Sequence, residues 1–218
     1  MIITLVDSRL SERQAEIVDL AARNRLLTLA MLQLRYPADT PDALRMQLGR
    51  LVATGWLVKF PLGNRDHYYC LGPVARRHLL SEREHRPFRG FSHAGVVQYF
   101  AIAMLCVRHG LTRLTKDEFV KALPGHHKQG MQSKNYLIRT DGTDETLYMA
   151  IVDHATSPQR LAHKVGEIFA KRHDLPEFRD RIKAGLFAVA IITGSTRKAK
   201  QIEEALNSDQ FRNAGTMV

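Results

Sequence analysis

Cysteine is scarce in this sequence. The two present in 218 residues, Cys70 and Cys106, lie in apolar surroundings with no paired spacing. That argues against a disulfide scaffold or a cysteine zinc site and reads as two buried free thiols in a reducing compartment. Long hydrophobic runs are lacking too. The longest, AGVVQYFAIAMLCV, is interrupted by Gln98 and Tyr99 and is too short to cross a bilayer comfortably. The opening MIITLVDSRL has a short apolar run and an acid at Asp7, so no signal peptide is expected. No internal repeat or low-complexity tract is present. Acidic residues are the remaining shortage: 22 Asp+Glu face 32 Lys+Arg, a net charge of +10. A surplus of that size favours polyanions, nucleic acid above all. A basic face meeting an acidic protein is the alternative. The expected setting is the cytoplasm, at the nucleoid, with no membrane partner.

The chain has what a folded protein needs: 44% hydrophobic residues and 25% charged, enough for a real core and an ordinary surface. The basic excess is uneven. Residues 1–80 carry 11 Lys+Arg and 7 Asp+Glu, residues 81–133 carry 8 and 4, and residues 134–218 carry 13 and 11.

Helix signals come early. Ser11 and Gln14 stand in capping-box positions before SERQAEIVDLAARN. A second short helix starts near Thr28 and is stopped by Pro37. The third, TPDALRMQLGRLVATG, has Thr40 at its cap, Pro41 at its first position and Gly55 at its end. WLVKF and HYYCL then read as two strands joined by PLGNRD. Three helices followed by a hairpin is the order of a winged helix-turn-helix, expected over 1–81. A short helix near 73–80 and the charged segment SEREHRPFRGF lead into a helical linker region, 82–133, with a long helix from about Ser92 to His109 and a capping box at Thr115 and Glu118. The last part, 134–218, alternates differently. NYLIRT and LYMAIVDHA read as strands, SPQRLAHKVGEIFAKRH as a helix with the apolar stripe Leu161, Val165, Ile168 and Phe169, GLFAVAIITG as a strand buried on both faces, and STRKAKQIEEALN as a closing helix. The fold class is therefore α/β.

The third helix carries the sharpest functional signal. At about 100° per residue from Leu44, Leu48 falls near ~40°, Leu51 near ~340° and Val52 near ~80°. The opposite side shows Met46 and Arg50, flanked by Arg45 and Gln47. One locked apolar side with long donors opposite suits a helix that reads base edges, where Arg pairs with guanine and Gln with adenine. The same spacing also suits a merely solvated face, and the hairpin tilts the choice. Its tip offers Asn64 and Arg65, with Lys59 on the first strand, a basic wing able to follow phosphates or the minor groove. Trp56, Tyr68 and Tyr69 are expected to pack the wing onto the helices.

The order LGRLVATGWLVKF…HYYCLGPVARRHL resembles the winged-helix part of the replication-relaxation family of plasmids and other mobile elements. LYMAIVDHATSPQRLAHKVGEIF with LFAVAIITGS resembles that family's second part, a region similar to restriction endonucleases. The resemblance implies DNA binding in plasmid replication, copy control or transfer, with an architecture shared by some mobilisation relaxases. For an active nuclease it implies Asp141, Asp153 and Lys164 as the catalytic set, holding Mg²⁺. The family's Glu two positions before the second acid is replaced here by Ile151. The expected reading is a degenerate nuclease domain with no metal and no cofactor, used for homodimerisation or DNA contact.

Other polar clusters are weaker. His126-His127 reads as a loop pair, and His93, His154 and His163 as structural or surface residues. TGSTRKAK places Arg197 and Lys198 at a helix start, where a DNA phosphate contact or a plain solvated helix would both fit, without the spacing of a P-loop. Three expectations stand: a sequence-specific double-stranded DNA-binding protein, regulating transcription or assisting replication or transfer of a mobile element; alternatively a metal-dependent relaxase or nuclease; or alternatively a basic protein-interaction module.

Overall fold

The computed structural model describes residues 10–63, 66–79, 89–126, 135–141 and 144–208. The chain is mixed α/β and divides into two compact units, Met1–Gly110 and Leu111–Val218. No helix among the described residues is long and apolar enough to cross a membrane.

The first unit begins with α1 (Glu12–Asn24), where the Ser11 side chain accepts from the Gln14 N–H and the Gln14 side chain accepts from the Ser11 N–H. Thr28 has two roles. It closes β1 (Leu27–Thr28) and caps α2 (Leu29–Arg35) through a bond from the Met31 N–H. Thr40 and Pro41 start α3 (Pro41–Ala53) as their chemistry dictates. The chain then turns through Gly55, at φ +76°, into β2 (Leu57–Gly63), which pairs antiparallel with β3 (Asp66–Leu71). β1 adds to the other side of β3, so the sheet order is β1-β3-β2.

Two glycines close this hairpin onto the end of α3. The Gly72 N–H donates to the Trp56 carbonyl at 2.8 Å, and the Val74 N–H to the Gly55 carbonyl at 3.0 Å. A Cβ on Gly72 would collide with the Gly55 backbone. α4 (Pro73–Leu79) follows, and α5 (His93–His109) starts at the Ser92 cap and ends at left-handed Gly110.

The core of this unit gathers Ile17 and Val18 from α1, Met31 and Leu32 from α2, Leu44, Leu48 and Leu51 from α3, and Trp56 and Tyr68 from the sheet. Val96, Tyr99, Phe100, Ala103, Met104 and Val107 of α5 pack on it, a stripe at helical spacing. The stretch read as a linker, 82–133, is thus divided. Its long helix belongs to the first core, and the elements from Thr112 onward belong to the second unit.

The second unit opens with β4 (Thr112–Arg113) and α6 (Lys116–Ala122), whose Thr115–Glu118 capping box is formed in full. After a 3-10 turn at Pro124–His126 come β5 (Tyr136–Asp141), β6 (Asp144–Val152), α7 (Pro158–His173), α8 (Pro176–Lys183), β7 (Phe187–Ile192) and α9 (Thr196–Leu206). The sheet order is β4-β5-β6-β7. The first three strands are antiparallel, and β7 runs parallel to β6 after the helical crossover. Phe119, Tyr136, Leu147, Leu161, Val165, Phe178 and Ile202 form the core.

One expectation fails here. GLFAVAIITG is not buried on both faces. β7 is the last strand of the sheet, and of its residues only Phe187 is buried while the rest are half-buried. The central position, with its buried residues, goes to β6.

Candidate nucleic-acid interface

α3 has two faces of opposite character. Leu44, Leu48 and Leu51 are at most 1% exposed. Arg45, Met46, Gly49, Arg50 and Ala53 are exposed. The division follows the ~3.6-residue period of the sequence. Arg45 Nη1 meets Asp42 Oδ1 at 2.5 Å, one turn back on the same helix. Arg50 lies along Met46, its Nη2 3.6 Å from Met46 Sδ. Gln47 is different. It is half-buried, and its Oε1 accepts from Gln14 Nε2 at 3.0 Å. Its acceptor oxygen braces α3 against α1 and is not free to pair with adenine, whereas Arg45 and Arg50 stand at exposed positions.

The hairpin continues this surface. Lys59 on β2 is exposed and stands opposite Tyr69 of β3. Burial pushes the Tyr69 phenol pKa up, and the charge of Arg45 opposes that. Arg45, Tyr69 and Lys59 thus form one band from α3 onto the sheet. The tip residues Asn64 and Arg65 lie outside the described residues. The aromatics pack inward as expected. Trp56 and Tyr68 are buried, Trp56 stacks on His78 at 5.5 Å, and the Tyr68 hydroxyl accepts from the Phe91 N–H at 3.2 Å. Tyr69 is half-buried.

In the second unit the acids of the nuclease reading are not brought together. Asp141 pairs with Asp144 at the β5–β6 turn. Asp153 follows the far end of β6, nine residues beyond Asp144, a span of about 30 Å at ~3.3 Å per residue. No metal ion bridges such a gap. Lys164 is exposed on α7, one turn from Leu161 at the margin of the buried stripe Leu161, Val165 and Ile168.

Asp153 has other partners. Its side chain is 5% exposed and meets Lys198 Nζ at 2.5 Å. It also accepts from the Thr156 N–H at 2.9 Å and lies 3.5 Å from Thr193 Oγ1. Burial favours the neutral carboxyl, but the Lys198 bond and the Thr156 N–H outweigh it and hold the pKa below the usual carboxylate range. The arrangement ties the carboxyl ends of β6 and β7 to α9. Lys198 is thereby occupied, and of the two residues read as phosphate contacts only Arg197 is exposed.

His126 also departs from expectation. It is 7% exposed, not a loop histidine, and meets the Phe178 ring edge-on at 4.7 Å. Neither ring nitrogen has a hydrogen-bond partner among the described residues. His127 lies outside them. His93, His154 and His163 are exposed, as expected. Sequence reading also passed over Arg172, which is 2% exposed and donates from Nε and Nη2 to the Tyr136 hydroxyl at 2.9 and 2.6 Å.

No protein-family model, curated protein or solved structure matches the chain significantly.

Proposed function

We propose that the chain is a sequence-specific double-stranded DNA-binding protein whose first unit is a winged helix-turn-helix. In this reading α3 enters the major groove, and the β2–β3 hairpin lies as the wing against neighbouring phosphates. The observation that carries the reading is the exposed face of α3, with Arg45 and Arg50 on a helix locked by three fully buried leucines. The element order α1-β1-α2-α3-β2-β3 and the β1-β3-β2 sheet support it. So does charge: residues 1–110 carry 15 Lys+Arg and 9 Asp+Glu, a surplus of six of the chain's ten.

The second unit is proposed as a nuclease-like frame that pairs two chains or touches DNA without cutting it. Work as a regulator, or as a replication or transfer factor of a plasmid or other mobile element at the nucleoid, rests on the family resemblance of the two sequence regions. A titration of full-length protein with a mixed-sequence duplex, from about 50 to 200 mM salt, tests the reading. Three or four phosphate contacts give a log–log slope of about −3 to −4. Binding that ignores salt, or no duplex binding at low salt, would sink it.

A further inference from the structure

α3 presents a methionine where a solvated helix face would carry a charge. Met46 is 52% exposed, the most open of the large apolar side chains among the described residues. It lies near ~200° from Leu44 at about 100° per residue, on the mid-line of the outward face. Arg45 and Arg50 flank it on either side. Three residues on, Gly49 sits inside the helix with nothing within 4 Å of the position a Cβ would take. Glycine there costs the helix about 1 kcal/mol relative to alanine. It is absent from the positive-φ residues, and no close packing requires it. An isolated exposed methionine needs no explanation by itself. One that is flanked by two arginines, beside a gap in the same helix face, has a chemistry to match.

That chemistry is the edge of a thymine in the major groove. The 5-methyl group is the apolar feature a base presents there, and unbranched side chains adapt to it. The missing Cβ at Gly49 lets the base edge come close, and the flanking charge of Arg45 complements a phosphate beside the groove. We infer that Met46 is a specificity-determining residue that reads a thymine methyl. Arg50, which lies along Met46 in the free protein, reads a guanine within about two base pairs of that thymine, since four helical residues advance about 6 Å. The inference rests on the duplex-reading role proposed for α3.

The test begins with a duplex selected by the full-length protein from a randomised pool. Each thymine is then replaced in turn by deoxyuridine, which lacks only the 5-methyl group. Wild type should lose about fivefold in affinity at one or two positions. Met46→Ala should bind the thymine and deoxyuridine forms of those sites equally, with an unchanged melting temperature because the side chain is exposed. If wild type ignores every replacement, or if Met46→Ala keeps the wild-type preference, the inference falls while the duplex-reading role stands. If no sequence is selected at all, both fall.

Discussion

Arg45 and Arg50 leave α3 on opposite flanks of its outward face, and their neighbours distinguish them. Among the described residues the acceptor shown for the Arg50 guanidinium is a thioether, a weak one. Arg45 is held by Asp42, with both side chains largely exposed; such pairs contribute about 0.2–1 kcal/mol, too little to keep the guanidinium from a guanine or a phosphate. Arg45→Ala and Arg50→Ala should each weaken binding to the selected duplex by about 1–3 kcal/mol without changing the fold. Asp42→Asn should tighten it, because it releases Arg45 and removes a negative charge from the face. Affinities measured on one duplex decide this, and two arginine variants binding like wild type would end the assignment of α3.

His126 gives a second test at this scale. Burial, with the charge of Arg181, pushes its pKa below the ordinary 6.5, and Glu177 opposes this only in part. The unfolded chain therefore takes up a proton below pH 6.5 that the folded unit resists. Stability is complete above that pH and falls as the pH drops toward the lower folded value. Thermal melts between pH 7.5 and 5.5 should show a steeper loss for wild type than for His126→Leu. Equal slopes would show that His126 does not titrate on unfolding.

At the scale of the element, most helix starts were legible because capping is local chemistry. Ser11, Thr28, Thr40, Ser92, Thr115, Ser157 and Ser195 each accept from the N–H three residues on. The short strands β1 and β4 were not legible. Two residues show no period, and their pairing is set by strands distant in sequence. α8 escaped because Phe178 alone of its eight residues is buried. Two site assignments were within reach of periodicity. Lys198 precedes Ile202 by four residues and so shares the buried side of α9. Arg172 follows Ile168 by four and falls inside the apolar stripe of α7. Charge suggested solvent for both, and tertiary partners, Asp153 and Tyr136, prevailed. The separation of Asp141 from Asp153 needed the strand register, which spacing in the chain does not reveal.

The join between α3 and the hairpin is the element on which the proposed interface depends. Gly72 has no room for a side chain because the Gly55 backbone lies where its Cβ would go. Gly72→Ala should cost about 3 kcal/mol by forcing the two segments apart. It should also lower duplex affinity at temperatures where the protein is still folded, since the hairpin would lose its place beside α3. Chemical denaturation and a binding isotherm on the same sample check both effects. A variant as stable as wild type would show that the close approach is not required.

At the scale of the molecule, one reading helix covers only a few base pairs, and a two-fold dimer on a pseudo-palindrome is the usual route to useful affinity. On the proposed reading the second unit would supply the surface for pairing. Among the described residues no strand pairs with the outer edge of β7. Its sequence FAVAII carries no charge and no proline, the devices that keep edge strands apart. Beside it a groove of about 410 Å³ is lined by Phe169, Val189, Ile191 and Leu206. Full-length protein should therefore be a dimer by light scattering at micromolar concentration, and a monomer there would remove pairing from the proposal. The same unit should not nick supercoiled plasmid in Mg²⁺ or Mn²⁺. Asp153 is neutralised by Lys198, its presumed companion Asp141 lies about 30 Å away along the strand, and Ile151 offers no ligand. Asp153→Ala should instead cost stability, about 2–4 kcal/mol, because it strands the Lys198 ammonium, whose side chain is 23% exposed. Nicking by wild type that vanished in a folded Asp153→Ala protein would reverse the conclusion and make the second unit an enzyme.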